Sequence, residues 1–411
     1  MAVDLITPTL YETQGFPDED LRRLRRESPV HWHEDPSSDV PGFWAVTRYD
    51  DIVHVSRHPE LFSSHARTSM FEEFADEDVA LYRLMMLFMD PPQHTRQRAF
   101  VNRGFTPRMI KQLEEHIRDV GHRLIDNVVT RGEACFVRDI AAPFPLYVIC
   151  ELIGAPVEDR EQIFAWSNVL VGSNDPDFAT SPEDAREVSA QVLQYAHELA
   201  ARRRRQPRDD IATSLLEPDA DGNRLSADEF AMFILLLIIA GNETTRNGAS
   251  GGMLAFFQHP EQWRRLVRNR GLIKTTADEV VRWVSPVNLF RRTAMRETEL
   301  RGRRIREGDK VVMFYASANR DEDVFEDPYT FDIGRDPNPH LGFGGGGPHF
   351  CLGTHLARLE LAVLFELLLD RMPDIRQAGE ARRLRSNFIN GIKEMPVRFT
   401  PSERVNRTSF I

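Results

Sequence analysis

The sequence predicts a mainly α-helical fold with small β-sheets, and three observations carry that prediction. Helical patterns dominate from Pro91 to about Glu366, with Pro107, Pro156, Pro182, Pro260 and Pro286 near the ends of elements. One long helix marks both its start, at Ser226, and its stop, at Pro260. Only the early segment Phe43 to Thr47 alternates, with enough aromatic and β-branched residues to read as a strand, and Asp50 to Ser56 follows as a helix.

The long helix opens on a capping box in which Ser226 and Glu229 satisfy each other's free backbone donors. A helical pattern then runs to about His259, which at ~1.5 Å per residue makes a rod of roughly 50 Å. Its apolar stretch, Phe230 to Ala240, is about half the ~20 residues a membrane-spanning helix needs, so it reads as a buried core helix and no stable membrane insertion is expected.

Composition bounds the function. The chain has 411 residues, with 63 acidic against 52 basic side chains and a formal charge of −11, a balance that argues against a general nucleic-acid binder. Apolar residues at 41% and charged residues at 28% suit a globular protein. No repeat or low-complexity linker divides it, so residues 1–411 read as a single domain. Three cysteines, Cys135, Cys150 and Cys351, fit a reducing compartment without a disulfide framework. Met1 to Leu10 shows no basic region followed by an apolar run, so a cytoplasmic location is expected.

Chemistry is suggested where the core helix turns polar, at Gly241, Asn242, Glu243, Thr244, Thr245, Arg246 and Asn247. The Thr244 hydroxyl can bond the carbonyl of Ala240 and widen the helix locally. Gly241 would then let a small ligand approach the backbone, and Glu243 and Thr244 would supply a carboxylate and a hydroxyl for proton delivery. The competing reading is a kinked core helix whose polar residues only cap it.

A second feature is the run from His340 through Phe343, four glycines (Gly344 to Gly347), Pro348, His349 and Phe350 to Cys351 and Gly353. Cys351 stands at a helix N-terminus, where free backbone donors and the helix dipole favour a thiolate, and the glycines allow close approach of a large flat partner. This pattern makes Cys351 a good thiolate ligand for haem iron, while Cys135 and Cys150 read as small core residues. Gly342, Gly344 and Gly347 also match a dinucleotide fingerprint, but Pro348 to Cys351 intervene before the helix and no partner strand follows.

The cysteine loop, the segment Ala240 to Thr245 and the spacing of Glu279 and Arg282, in that family's order, resemble the cytochrome P-450 haem-thiolate monooxygenases, from about Trp44 to Phe399. The resemblance implies a single-domain cytochrome P-450 fold, a helical bundle around haem b (iron protoporphyrin IX) with small sheets. It makes Cys351 the axial metal ligand. Glu279 and Arg282, with Arg335, would form a buried structural network, although on spacing alone they would be a surface pair. His94 and Arg98, neighbours on a helix for which Asp90 was expected to be the N-cap, would hold the haem propionates with Arg292 and His349. Arg291 rivals Arg292, and Arg96 rivals Arg98. Ala240, Gly241, Phe343, Gly344 and Gly353 complete the cofactor-binding set. Phe343 stands eight residues before Cys351 where the family's usual pattern has seven, so the loop carries an extra residue for its glycines to absorb.

The same resemblance implies that dioxygen is activated with Glu243 and Thr244 relaying protons. Electrons would come from a separate ferredoxin and an NAD(P)H-dependent ferredoxin reductase, with Arg358, Arg103 and Arg108 as possible contacts for an acidic ferredoxin. The wording of both motifs looks most like the actinobacterial subgroup acting on sterols, methyl-branched lipids and linear terpenoids, so an apolar small molecule is expected. Its candidate lining is Met86, Phe88, Val287, Leu289 and Ile389, with Met85, Leu87, Phe290 and Ile392 beside them. Natural-product epoxidation or ring coupling, and haem binding without turnover, are the alternatives.

Overall fold

The capping box at Ser226 forms as the sequence predicts: Ser226 Oγ accepts the Glu229 N–H at 3.1 Å, and the Glu229 carboxylate accepts the Ser226 N–H at 2.8 Å. The central helix that follows spans Ala227–Gln258 and stops at His259, where Pro260 opens the next helix. These elements belong to a computed structural model that describes residues 3–36, 40–105, 107–171, 175–178, 181–219 and 222–405. Against the central helix pack the helices Pro182–Arg205, Pro143–Leu152, Ile273–Val284 and Thr354–Arg371. Its first half, including Phe230, Phe233, Ile234 and Ile238, is buried among them. No helix among the described residues is long and apolar enough to cross a membrane.

The expected strand appears as Gly42–Val46, one residue earlier than its pattern, and the helix after it as Tyr49–Arg57. It belongs to a five-stranded sheet in the order Val30–Glu34, Gly42–Val46, Lys310–Phe314, Leu289–Ala294, Phe62–Ser63. The pairing of Gly42–Val46 with Lys310–Phe314 is parallel and the others are antiparallel. Side chains on a strand alternate between faces. Leu289 therefore packs with Phe43, Val312 and Phe314 on one face, while Phe290 and Arg292 point to the other.

Glu279 and Arg282 lie on the helix Ile273–Val284, each with its side chain fully excluded from solvent, and are joined by two bonds of 2.8 Å. Arg282 also donates to the carbonyls of Asn319, Pro328 and Thr330. Glu279 accepts from the Asp332 N–H and Asn338 Nδ2, and Arg335 Nε stands 3.3 Å away. The trio is thus a buried network, as the family resemblance implied and the bare spacing did not. Glu279→Gln leaves a buried guanidinium without its counter-charge, so chemical denaturation is expected to show roughly 3–5 kcal/mol of lost stability. A loss within about 0.5 kcal/mol would place the pair among ordinary surface substitutions.

Candidate active site

The chain from Phe343 to Cys351 folds back on itself, with the Cys351 N–H donating to the Phe343 carbonyl at 3.0 Å. Gly344, Gly346 and Gly347 take left-handed φ values of 97°, 82° and 74°, which side chains disfavour. Gly345 lies so close to Ser56 that an added Cβ would stand 2.9 Å from the serine's own. The extra residue is thus taken up by left-handed glycines seated on the helix Tyr49–Arg57. No strand is assigned between Phe314 and Arg376, and the following helix opens only at Thr354. The dinucleotide reading therefore has no structural support.

Cys351 faces a cavity of about 260 Å³. Burial pushes its thiol above the usual value, while the Gly353 N–H, the Thr354 hydroxyl and the charges of Arg98 and Arg358 pull the other way. The helix-end contribution expected from the sequence is present but does not outweigh burial in the protein alone. All ten residues expected to bind the cofactor line this cavity: His94, Arg98, Ala240, Gly241 and Arg292 with Phe343, Gly344, His349, Cys351 and Gly353.

Four of them crowd basic groups into one buried region. Burial, then the charge of Arg98, holds His94 down to about 4, and its Nε2 is buried without a hydrogen-bond partner. His349 is pushed well below its usual value by burial, Arg292 and His94, and its ring lies 4.4 Å from that of His94. Ser64 Oγ braces His349 Nε2 at 3.1 Å. The rivals are occupied elsewhere: Arg291 pairs with Glu73 at 2.6 Å and Arg96 with Glu229 at 2.6 Å. Strand alternation explains the first case, since Arg291 shares the face of Leu289. Asp90 does not cap the helix Gln93–Val101, whose N-cap is Pro92. It accepts the Ser63 hydroxyl and the Ser64 N–H instead.

Thr244 lines the cavity and bonds Ala240 O at 2.8 Å as predicted. The helix does not widen: it stays α-helical through Ala240 to Thr245. Gly241 has a packing role that the sequence did not reveal, because an added Cβ would stand 2.4 Å from Ile149 Cδ1 on a neighbouring helix. Glu243 lies outside the main cavity. It lines a small separate pocket with Asn168, Phe178, Arg246, Asn247, Leu384 and Ile392, and its carboxylate meets Arg246 Nη1 at 2.9 Å and Asn247 Nδ2 at 3.3 Å.

Comparison with known proteins agrees with this geometry. The cytochrome P450 family model matches residues 154–372. A steroid C26-monooxygenase of Rhodococcus jostii (strain RHA1) is 44% identical over 402 residues, covering 96% of this chain and 84% of the relative. A methyl-branched lipid omega-hydroxylase of Mycobacterium tuberculosis (strain ATCC 25618 / H37Rv) is 45% identical, covering 92% and 91%. The solved structure of a Mycobacterium marinum cytochrome P450 in complex with pseudoionone superposes with a TM-score of 0.90 at 39% identity, covering 97% of this chain and 99% of that one.

The chain belongs to the cytochrome P450 family. As a P450 it is a haem-dependent monooxygenase that needs redox partners and an apolar substrate. Its residues fit haem: a cysteine faces the cavity, which also holds the buried Arg292, the half-buried Arg98 and an orphaned His94 nitrogen, groups suited to carboxylates. The residues expected to line the substrate space divide. Met86 and Val287 line the cavity, but Phe88, Leu289 and Ile389 do not. Phe88 is buried against Tyr82, Leu289 takes the opposite strand face, and Ile389 is buried in the backbone bridge opposite Val287. Leu87 and Phe290 line it, whereas Met85 and Ile392 do not.

Phe233, Leu236 and Leu237 were missed, although they lie eleven, eight and seven residues before Thr244, the spacing of one helical face. Glu360 was missed too. It is buried on the cavity wall, its Oε1 has no partner, and burial pushes it up to about 8 against a hydrogen bond from Thr245. The folded protein therefore holds this proton over a range in which the unfolded chain, with an ordinary value of 4.5, has lost it. The associated stability is present below that value and is lost as pH rises to about 8, by at most ~1.4 kcal/mol per pH unit. Glu360→Gln is expected to gain on the native protein in unfolding midpoint from about pH 5 to about pH 8; parallel pH profiles would contradict the assignment.

Proposed function

We propose that this P450 oxygenates an extended apolar molecule of the sterol, branched-lipid, fatty-acid or terpenoid class, with electrons from a separate ferredoxin and NAD(P)H-dependent ferredoxin reductase. The observation that carries the reading is one cavity bearing Cys351, the basic cluster and Thr244, with an apolar wall that includes Met86, Leu87, Phe233, Leu237, Val287 and Phe290. Similarity to proteins named for a steroid and for methyl-branched lipids supports the substrate class. A cytoplasmic location suits an enzyme supplied by soluble electron carriers.

In this reading His94, Arg98, Arg292 and His349 would hold the two propionates of haem b, and Cys351 would supply a thiolate ligand to its iron. Bound there, the haem would supply the iron chemistry of dioxygen activation, with thiolate donation favouring oxygen–oxygen cleavage. The apolar wall orients the substrate and excludes water. Thr244 Oγ stands on the cavity side, and passing its proton on requires it to leave the carbonyl of Ala240. Glu243 takes up protons at its carboxylate from the small outer pocket, and releasing them inward requires it to loosen its contact with Arg246. Arg358 and Arg103 are contacts proposed for the ferredoxin; Arg103 lies over Phe100 and donates to Pro218 O. The side chain of Arg108 lies outside the described residues.

The reduced, carbon-monoxide-bound spectrum of the haem-loaded protein tests the ligand: a strongly red-shifted band is expected, and Cys351→Ser is expected to abolish it. An imidazole-type spectrum in the native protein would refute the reading. Thr244→Ala should keep consuming electrons with several-fold less product per electron, and Glu243→Gln should slow turnover by on the order of 10²-fold. Spin-state titration with a sterol, a methyl-branched fatty acid and a linear terpenoid then decides among the substrate classes.

A further inference from the structure

Phe343 packs beside the cysteine in a setting that the site described so far does not use. Its carbonyl accepts the Cys351 N–H, and its buried ring reaches the cavity wall. The guanidinium of Arg358 lies 4.9 Å from the centre of that ring, and the His340 ring lies 5.4 Å from it. Arg358 Nε and His340 Nε2 converge on a single oxygen, Asp278 Oδ1, at 2.7 and 3.1 Å. Since His340 Nδ1 accepts the Gly342 N–H at 3.2 Å, its proton sits on Nε2 and points at Asp278. One carboxylate thus orients two groups against the same ring.

The charges have a definite sense. Arg358 is near enough for its positive charge to favour the thiolate form of Cys351, and Asp278 sets an opposite charge against it. Both are partly exposed, with side chains 38% and 28% accessible, so their influence is screened by salt. A cation held near the sulfur weakens its donation to iron and favours the reduced metal, and a carboxylate beside that cation offsets the effect.

We propose that Asp278 sets the reduction potential of the bound iron, its charge offsetting that of the Arg358 guanidinium, which it holds with His340 beside Phe343. This rests on Cys351 being the axial ligand, and the spectrum described above tests that point separately. The test is a spectroelectrochemical titration of the haem-loaded native protein and of Asp278→Asn, Asp278→Glu, Arg358→Gln and Arg358→Lys, at low and high salt, using variants that retain the red-shifted carbon-monoxide band.

Asp278→Asn is expected to raise the midpoint potential and Arg358→Gln to lower it, with both shifts shrinking at high salt. Asp278→Glu and Arg358→Lys, which keep the charges, should stay closer to the native value. A merely structural clamp would shift both neutral variants in the same direction, without salt dependence, and that result overturns the proposal. If Asp278→Asn fails to fold, Arg358→Gln decides alone: an unchanged midpoint at low salt overturns the proposal, and a lowered one that Arg358→Lys restores upholds it.

Discussion

The fold depends on one fully buried ion pair, Glu279 with Arg282. Removing two charges from water costs several kcal/mol for each ion, and only a closely matched set of partners offsets it. Here the partners are the carbonyls of Asn319, Pro328 and Thr330, the Asp332 N–H and the side chains of Asn338 and Arg335. They lie on an irregular stretch whose position the pair therefore fixes. Asn319 passes the constraint on, because its Oδ1 accepts the Leu341 N–H at 2.6 Å and its Nδ2 donates to Ser285 Oγ. Leu341 leads directly into the glycine loop, so the approach of Cys351 to the cavity is tied to a pair on another helix.

At the cavity the balance is reversed. His94, Arg98, Arg292 and His349 are brought together with Asp90 near enough to offset part of their charge, although its carboxylate is bonded to Ser63 and Ser64. Burial first, and then the neighbouring positive charges, favour the neutral form of the two histidines, and the remaining cations oppose one another. A dianionic partner relieves that repulsion, and its binding free energy adds to the stability of the folded protein. The arrangement is costly to the chain alone and favourable with the cofactor bound, the pattern expected where a site is built for a ligand rather than for the core.

Much of this was legible in the sequence because the relevant signals are local. The capping box, the stop at Pro260, the glycine run before Cys351 and the paired His94 and Arg98 each lie within one element, and each formed. What escaped depends on facing and on neighbours distant in sequence. Leu289 and Phe290 are equally apolar, and only the register of the sheet decides which meets the cavity. Gly241 resembled a gap for a ligand until the packing of Ile149 supplied another reason for it. Asp90 had a plausible helix to cap but found Ser63 and Ser64 instead. Glu360 stands four residues after Leu356 and three before Val363, so its spacing places it on the buried face of its helix, and only its charged residue type argued for solvent.

The polar segment of the central helix shows why adjacent residues there divide the work. Successive positions on an α-helix point about 100° apart. Thr244 shares a face with Phe233, Leu237, Gly241 and Gly248, and so looks into the main cavity. Glu243 must then look elsewhere, and it faces the outer pocket beside Arg246 and Asn168. The acid is kept out of the apolar chamber, where an unpaired carboxylate would be strongly disfavoured, while the hydroxyl, far cheaper to desolvate, stands within it. In the proposed relay a proton crossing from one face to the other would have to pass around the helix, past the contact between Glu243 and Arg246.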